Sequence, residues 1–313
     1  MRRPAVVIAA AAIGAALFVY AVRKAGVAEI VDGIRHVGWG LILILLIAGA
    51  RFLLRAECWR WCLPPGTSFP YSRALTAFLA GDAVGNVTPL GLLASEPTKV
   101  LLTRHHLATR ESVASLAVEN LVYAGSVVAV IAIGLVLADV VVPMPHGWRI
   151  AIRLLLTALV LFSIVALRAM RGRWDASRGP RPRWRERLAS LRGDVLRFSG
   201  GHPQRLWRVF ALDLGFHALA VLEVYVTLLW LLGDRSPTIV QSVIFEALNR
   251  VITVVFKFVP FRVGVDEASA GALAPMLSVN PAAGVALAVV RKARNLFWAA
   301  IGLALVAAHP AAD

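Results

Sequence analysis

Two glutamates stand in matching surroundings. Glu96 follows Pro89 by seven residues and Glu267 follows Pro260 by seven, and a helix-capping residue, Ser95 or Asp266, comes immediately before each. Ser95-Glu96-Pro97 reads as a helix start, with Ser as N-cap and Pro in the first turn. Half-helices that begin near Ser95 and Asp266 would turn free N–H groups and positive dipole ends toward the same region, which is an anion site. Glu96 and Glu267 would then cap those helices or face a ligand. The cations to go with them are Arg51, Lys99, Arg250, Lys257, Arg262, Arg291 and Arg294. A guanidinium fork suits a phosphate, while Glu96, Glu119 and Glu267 can pair with the arginines of an empty site or meet a cationic headgroup. With Asn86 from the interrupted run before Glu96, the candidate substrate-binding set is Arg51, Asn86, Glu96, Lys99, Glu119, Arg250, Arg262, Glu267, Arg291 and Arg294. A zwitterionic or anionic phospholipid headgroup satisfies both signs of charge. A small inorganic ion would need fewer groups.

The elements that must hold these residues are membrane helices. Hydrophobic residues make up 59% of the 313-residue chain and the mean hydropathy is +0.73, with several apolar runs of span length. Expected spans are about 5–22, 39–63, 112–138, 148–170, 206–232 and 281–308. The N-terminal run could mimic a signal peptide, but no clear small-residue cleavage site precedes a soluble domain, so it reads as a retained span. Between the spans, the Gly85, Asn86, Thr88, Pro89, Gly91 run breaks an apolar pattern that starts at Tyr71. Pro260 to Val265 breaks another that starts at Pro237. Non-helical backbone at membrane depth is tolerated only where protein or a water-filled cavity satisfies its polar groups, so each break is expected to line a cavity.

The net charge of +15 suggests a nucleic-acid binder until its location is considered. Twelve Arg and three acids lie between Arg168 and Arg208. A basic loop between spans fits the positive-inside rule and contact with anionic headgroups, and no stacking aromatics alternate with its charges, so no nucleic acid is expected as a partner. The loop includes a candidate amphipathic helix around Trp184 to Phe198. Cys58 and Cys62 share a helix face without a His or a further Cys, which makes them packing residues and leaves no metal site. His105 and His106 read as a solvated helix end. Arg51 and Arg55, one turn apart, face protein, water or headgroups, with snorkelling to the near interface the plainer alternative. Asp213 and His217 are an i, i+4 pair, read as a structural hydrogen bond in preference to a proton relay. Arg291, Lys292 and Arg294, deep in an apolar segment, need an anionic partner.

Placing the Arg-rich loop in the cytoplasm orients the rest. The third and fifth spans then both lead outward, so the first break dips in from the cytoplasm and the second from the opposite face. The chain is thus expected to be one all-α polytopic membrane domain, with about six spanning helices and two broken re-entrant helices in an inverted-topology repeat. The first repeat covers about 39–138, the cytoplasmic loop about 168–208 and the second repeat about 206–308. Inverted repeats belong to secondary transporters, with the substrate where two discontinuous helices meet near the midplane.

The NVTPLGLLASEPTKVLLTR stretch followed by Glu119-Asn120, and the FVPFRVGVDEASAGAL stretch followed by an Arg-bearing span, resemble the flippase-like transmembrane domain of lysylphosphatidylglycerol synthases, in a stand-alone form without the aminoacyltransferase domain. The resemblance covers about 51–308. It implies roles for Asn86, Pro89, Gly91, Glu96 and Lys99 in one half and for Pro260, Gly264, Glu267 and Arg291 in the other. The chain departs from the family pattern with Ala94-Ser95 where a Gly would precede Glu96, and with Phe261-Arg262 where a Gly pair would follow Pro260. Lysyl-lipid synthesis is not implied, since no domain of acyltransferase size follows Ala308.

The expected function is therefore transport of a phospholipid or related lipid-linked substrate between leaflets. No nucleotide-binding loop and no cofactor signature accompany it, so movement is passive or ion-coupled. A membrane enzyme acting on lipid phosphates would rely on Asp213, His217 and Glu223 as its acid–base cluster, and no nucleophile or metal constellation joins them. An accessory protein would use the Arg-rich loop to recruit a lipid-modifying enzyme. Location in a bacterial cell membrane is suggested by the Arg, Ala and Trp usage.

Overall fold

The computed structural model describes residues 35, 37–88, 91–171, 193–198, 201–233, 236–256, 260–262 and 264–308. The expected first span at 5–22, Lys257 and most of the Arg-rich loop lie outside them. Every regular element among the described residues is helical. In chain order these are α1 (Gly40–Cys62), α2 (Tyr71–Val87), α3 (Gly91–Thr103), α4 (Thr109–Val141), α5 (His146–Arg171), α6 (Pro203–Leu232), α7 (Ile239–Val255), α8 (Val265–Leu273) and α9 (Pro281–Ala308). A short helix at 193–198 precedes α6, and single 3-10 turns at Pro260–Arg262 and Ala274–Leu277 flank α8.

Local sequence sets the ends. Pro64-Pro65-Gly66 stops α1, with Gly66 at φ 85°. Thr238 caps α7 in a reciprocal box: its Oγ1 accepts from the Gln241 N–H at 3.1 Å while Gln241 Oε1 accepts from the Thr238 N–H at 2.7 Å. Asn280 Oδ1 accepts from the Ala282 N–H at 2.9 Å, with Pro281 in the first position of α9.

Among the described residues, three helices are long and apolar enough to cross a membrane: Thr109–Val141, His146–Ala166 and Pro203–Leu232. They make this a multi-pass membrane protein. Helices α1 and α9 are also long, yet any 18-residue stretch of either contains at least three charged side chains. Those two charged helices turn their charged faces toward other helices: α1 packs along α6 and α9 packs on α2 and α8. None of the apolar stretch of α5 is buried, which leaves Leu154, Leu161, Phe162 and Val165 facing outward as a lipid-facing surface would.

The first break differs from its sequence reading. α2 continues through Gly85 and Asn86 to Val87, and α3 begins at Gly91, so Ser95 is not an N-cap and Glu96 lies in the second turn. The cause is close approach: a Cβ on Gly91 would lie 2.2 Å from the Gly85 carbonyl oxygen, so only glycine lets the chain reverse there and start a helix at once. Pro97 then falls inside α3, where it has no N–H for the carbonyl four residues earlier. Gly81 lies against Lys99 and Gly85 against Ser95, so α3 runs back antiparallel to α2.

The second break is a 3-10 turn in which Phe261 and Arg262 both take φ 49°, and Gly264, not Asp266, is the N-cap of α8, at φ 82°. Here too the chain turns back: Gln241 Nε2 at the start of α7 donates to the Leu277 carbonyl at 2.7 Å, while Asp266 lies beside Asn249 and Ile252 near the other end. The two halves interlock. α2 packs on α9 and α7 packs on α4, each through a glycine: a Cβ on Gly302 would meet the Leu79 carbonyl at 2.3 Å, and one on Gly134 would meet Ala247 Cβ at 2.1 Å. The tips of the two turns touch, with Ala83, Val87 and Phe261 in one apolar cluster.

Candidate functional site

Between the interlocked halves lies a cavity of about 290 Å³, walled by α1, α2, α3, α4, α6, α7, the Pro260–Arg262 turn and α9. Six cationic side chains line it, namely Arg51, Arg55, Lys99, Arg250, Arg262 and Arg294, against two carboxylates, Asp82 and Glu96. Phe78, Tyr123, Phe216 and Trp298 supply aromatic faces, and Asn86, Asn120, Asn249 and Asn295 supply amides.

Helix geometry explains how so many charges converge. On α1, Ala48, Arg51, Phe52 and Arg55 recur at three- and four-residue spacing and form one stripe. On α2 the corresponding stripe is Phe78, Asp82, Gly85 and Asn86, and on α9 it is Arg294, Asn295 and Trp298. An arginine at the centre of a membrane helix costs about 3 kcal/mol or more when it faces lipid, so each of these needs a partner inside the bundle.

The partners are specific. Glu223 of α6, 1% exposed, accepts from Arg51 Nη1 at 2.9 Å and from Arg294 Nη1. Glu246 of α7, also 1% exposed, accepts from Arg250 Nε at 2.7 Å and from Arg291 Nη2 at 2.5 Å. Arg55 holds two carboxylates on the side away from the cavity, Glu119 of α4 at 2.6 Å and Asp213 of α6 at 3.3 Å, and lies 3.9 Å from the centre of the Tyr123 ring. Lys99 pairs with Glu96 at 2.8 Å and lies over Phe78 at 4.2 Å. At the second break, Arg262 Nε donates to Asp266 at 3.2 Å. Asp82 accepts from Asn86 Nδ2 at 2.8 Å.

Seven of the ten residues singled out in the sequence line the cavity: Arg51, Asn86, Glu96, Lys99, Arg250, Arg262 and Arg294. Glu119, Arg291 and Glu267 do not. Glu119 is fully buried behind Arg55, and Arg291 stands behind Glu246 beside a second, small cleft between α7, α8 and α9. Glu267 caps α8, accepting from the Gly264 N–H at 2.8 Å, and pairs with Lys292. The three cations of α9 do have anionic partners, and these are the protein's own: Glu246, Glu267 and Glu223.

Sequence reading underrated Arg55. It is 9% exposed and turns inward rather than snorkelling to the interface. Its place one turn from Arg51 on the same face was the signal. Asp82, Tyr123 and Asn249 carried no signal of their own, since only the packing of α2, α4 and α7 brings them together.

The expected Asp213–His217 bond is replaced by bonds to other helices. Asp213 takes Arg55 and the Cys58 thiol, at 3.6 Å, while His217 Nε2 lies 3.0 Å from Ser126 Oγ. His217 and Glu223 likewise belong to different clusters, and none of Asp213, His217 and Glu223 lines the cavity. Away from the spans, the short helix at 193–198 is tied to the start of α4 by Arg110, which donates to Asp194; Arg197 of the same short helix also donates to that carboxylate. Burial raises the Asp194 carboxyl, but these hydrogen bonds outweigh it and hold the group below the usual carboxylate range.

The family model described as the lysylphosphatidylglycerol synthase TM region matches residues 7–302. No curated protein and no solved structure matches the chain.

Proposed function

The chain belongs to the lysylphosphatidylglycerol synthase TM-region family, a membership that points to a membrane, lipid-related role, and from that premise we propose that it carries a phospholipid or related lipid headgroup between leaflets through the cavity between its two halves. The observation that carries this reading is the cavity's composition: six cations and two carboxylates, with aromatic and amide groups between them, in a multi-pass membrane protein. The arginine forks suit a headgroup phosphate, while Asp82 and Glu96 suit the hydroxyl or ammonium groups beyond it. In this reading the α2–α3 and α7–α8 hairpins are re-entrant, about six helices span, and the halves are inverted repeats that rock about their crossed contacts. The interlocking of α2 on α9 with α7 on α4, each at a glycine, supports that arrangement. In the same reading the protein sits in a bacterial cell membrane, with its Arg-rich loop against anionic headgroups on the cytoplasmic face.

Leaflet-to-leaflet movement of headgroup-labelled lipids in proteoliposomes tests the proposal. Arg250→Ala and Glu96→Gln are expected to slow movement by about tenfold or more, corresponding to the loss of one charge-assisted contact of about 1.5–3 kcal/mol. Protein that remains folded yet moves no anionic, zwitterionic or aminoacylated lipid would sink the carrier reading.

A further inference from the structure

Charge is distributed unevenly over the ion pairs around the cavity. Two glutamates each hold two arginines: Glu223 with Arg51 and Arg294, and Glu246 with Arg250 and Arg291. At Arg55 the ratio is reversed, because one guanidinium holds both Glu119 and Asp213. Among the described residues, Asp82 accepts a hydrogen bond only from the Asn86 amide. The other pairs, Lys99–Glu96, Arg262–Asp266 and Lys292–Glu267, are one to one. With every group ionised, the described network is neutral, its surplus positive charge on the arginine pairs at Glu223 and Glu246 and its surplus negative charge behind Arg55 and at Asp82.

That neutrality has a consequence for an anion. A headgroup that binds the cavity-facing arginines cancels the field that offsets the surplus carboxylates, so a compensating positive charge must enter with it. The Glu119–Asp213 pair is built to receive one. Both side chains are fully buried, and Glu119 Oε2 and Asp213 Oδ2 have no hydrogen-bond partner among the described residues. Asp82, by contrast, is open to the cavity, where water can solvate it. Two carboxylates that share one cation at close range cannot both stay charged in a dry site without large cost, and a single shared proton removes that cost.

The groups facing the pair are few. From α1 they are Arg55 and the thiols Cys58 and Cys62; from α3, Lys99 with its own partner Glu96. Tyr123 of α4 and His217 of α6 stack on each other, and His217 is held by Ser126. Arg250 of α7 reaches the Tyr123 hydroxyl, at 3.1 Å, and Arg153 of α5 pairs with Asp139 near the far end of α4. Arg55 alone among these cations touches both carboxylates, and it also lines the cavity, so it links the two sites.

We propose that Glu119 and Asp213 form a proton-binding site that takes one proton from water for each anionic headgroup charge entering the cavity and releases it when that charge leaves, so that headgroup movement is coupled to proton movement. The proposal rests on the carrier reading. The proton moves between water and a carboxylate oxygen, and no other bond changes.

The test uses the full chain in nanodiscs of phosphatidylcholine alone, the same with phosphatidylglycerol, and phosphatidylcholine with added inorganic phosphate, read by the infrared carbonyl stretch of protonated carboxyl groups. The expected result is a band that grows with phosphatidylglycerol and is lost in Glu119→Gln and in Asp213→Asn, because either change leaves one carboxylate on one guanidinium. Growth with free phosphate as well assigns the coupling to the phosphate group; growth with phosphatidylglycerol alone assigns it to the intact lipid. Asp139→Asn, at the far end of α4 and away from the cavity lining, is expected to keep the band. A band that survives both Glu119→Gln and Asp213→Asn in folded protein, or that Asp139→Asn removes, overturns the proposal. In proteoliposomes, lipid movement by the unaltered protein is expected to fall about tenfold per pH unit above the titration point, and movement by the two variants to be flat with pH. Absence of lipid movement at every pH defeats the carrier reading, whereas the infrared result decides the proton site by itself.

Discussion

Glu223 joins Arg51 of α1 to Arg294 of α9 from a position on α6, with 1% of its surface exposed. Removing such a carboxylate leaves two guanidinium groups facing each other beside a cavity, and breaking one side of a buried pair costs about 3–5 kcal/mol. Glu223→Gln is therefore expected to lower the thermal unfolding temperature in detergent clearly, and Arg294→Gln to lower it less, because Arg51 keeps Glu223 paired. Equal losses from both substitutions would mean that Arg51 does not compensate. The aromatic rings have a related role. Arg51 lies 4.4 Å from the Phe216 ring and Arg55 lies 3.9 Å from that of Tyr123, so the guanidinium groups are partly desolvated against flat faces and stay aimed.

At the scale of elements, glycines at crossing points decide how the two halves meet. Membrane helices gain little from hydrophobic exclusion against lipid, so close backbone approach at small residues carries the association. Gly302 lies against the Leu79 carbonyl, and an added Cβ would fall 2.3 Å from it, a backbone atom that cannot move aside. Gly302→Leu is expected to separate α9 from α2, destabilising the protein by about 1–3 kcal/mol and reducing lipid movement, as read by thermal unfolding and the liposome assay together. Gly125, with open space around it, is the matched control: Gly125→Ala is expected to change neither. The hairpin of α2 and α3 depends on glycine in the same way, through Gly85 and Gly91, and this is why the helix begins at Gly91, five residues before the Glu96 start that Ser95 as N-cap suggests.

For the whole molecule, two folded-back hairpins meet tip to tip beside a charged cavity, while α5 turns apolar side chains outward. If the halves rock about their crossed contacts, the cavity opens to one face at a time. A cysteine placed at Asn249 in a background with Cys58 and Cys62 replaced by Ala is expected to react with a membrane-impermeant maleimide from either face. An added lipid substrate should shift the proportion of the two. Labelling from one face only, under every condition, would argue for a fixed pocket instead of a carrier.

The sequence by itself determined the class and the ingredients: an all-helical membrane protein, two interrupted segments with a Glu seven residues after a Pro, and five of the six cations that line the cavity. These were legible because hydropathy, helix breakers and intramembrane charge each report on local physics. Only the tertiary structure decided which charges pair. Arg55 with Glu119 and Asp213, or Glu223 with Arg51 and Arg294, are partners from different helices, and no local spacing encodes such a meeting. It also moved the start of α3 to Gly91, since the contact that fixes it, Gly85 against Gly91, forms only when the chain reverses. The same holds for Glu119, Arg291 and Glu267, which share residue type with the lining charges yet sit behind them. The cavity is a product of the crossings, and the division between groups that face it and groups that support them is set by how α1, α6 and α9 pack on one another.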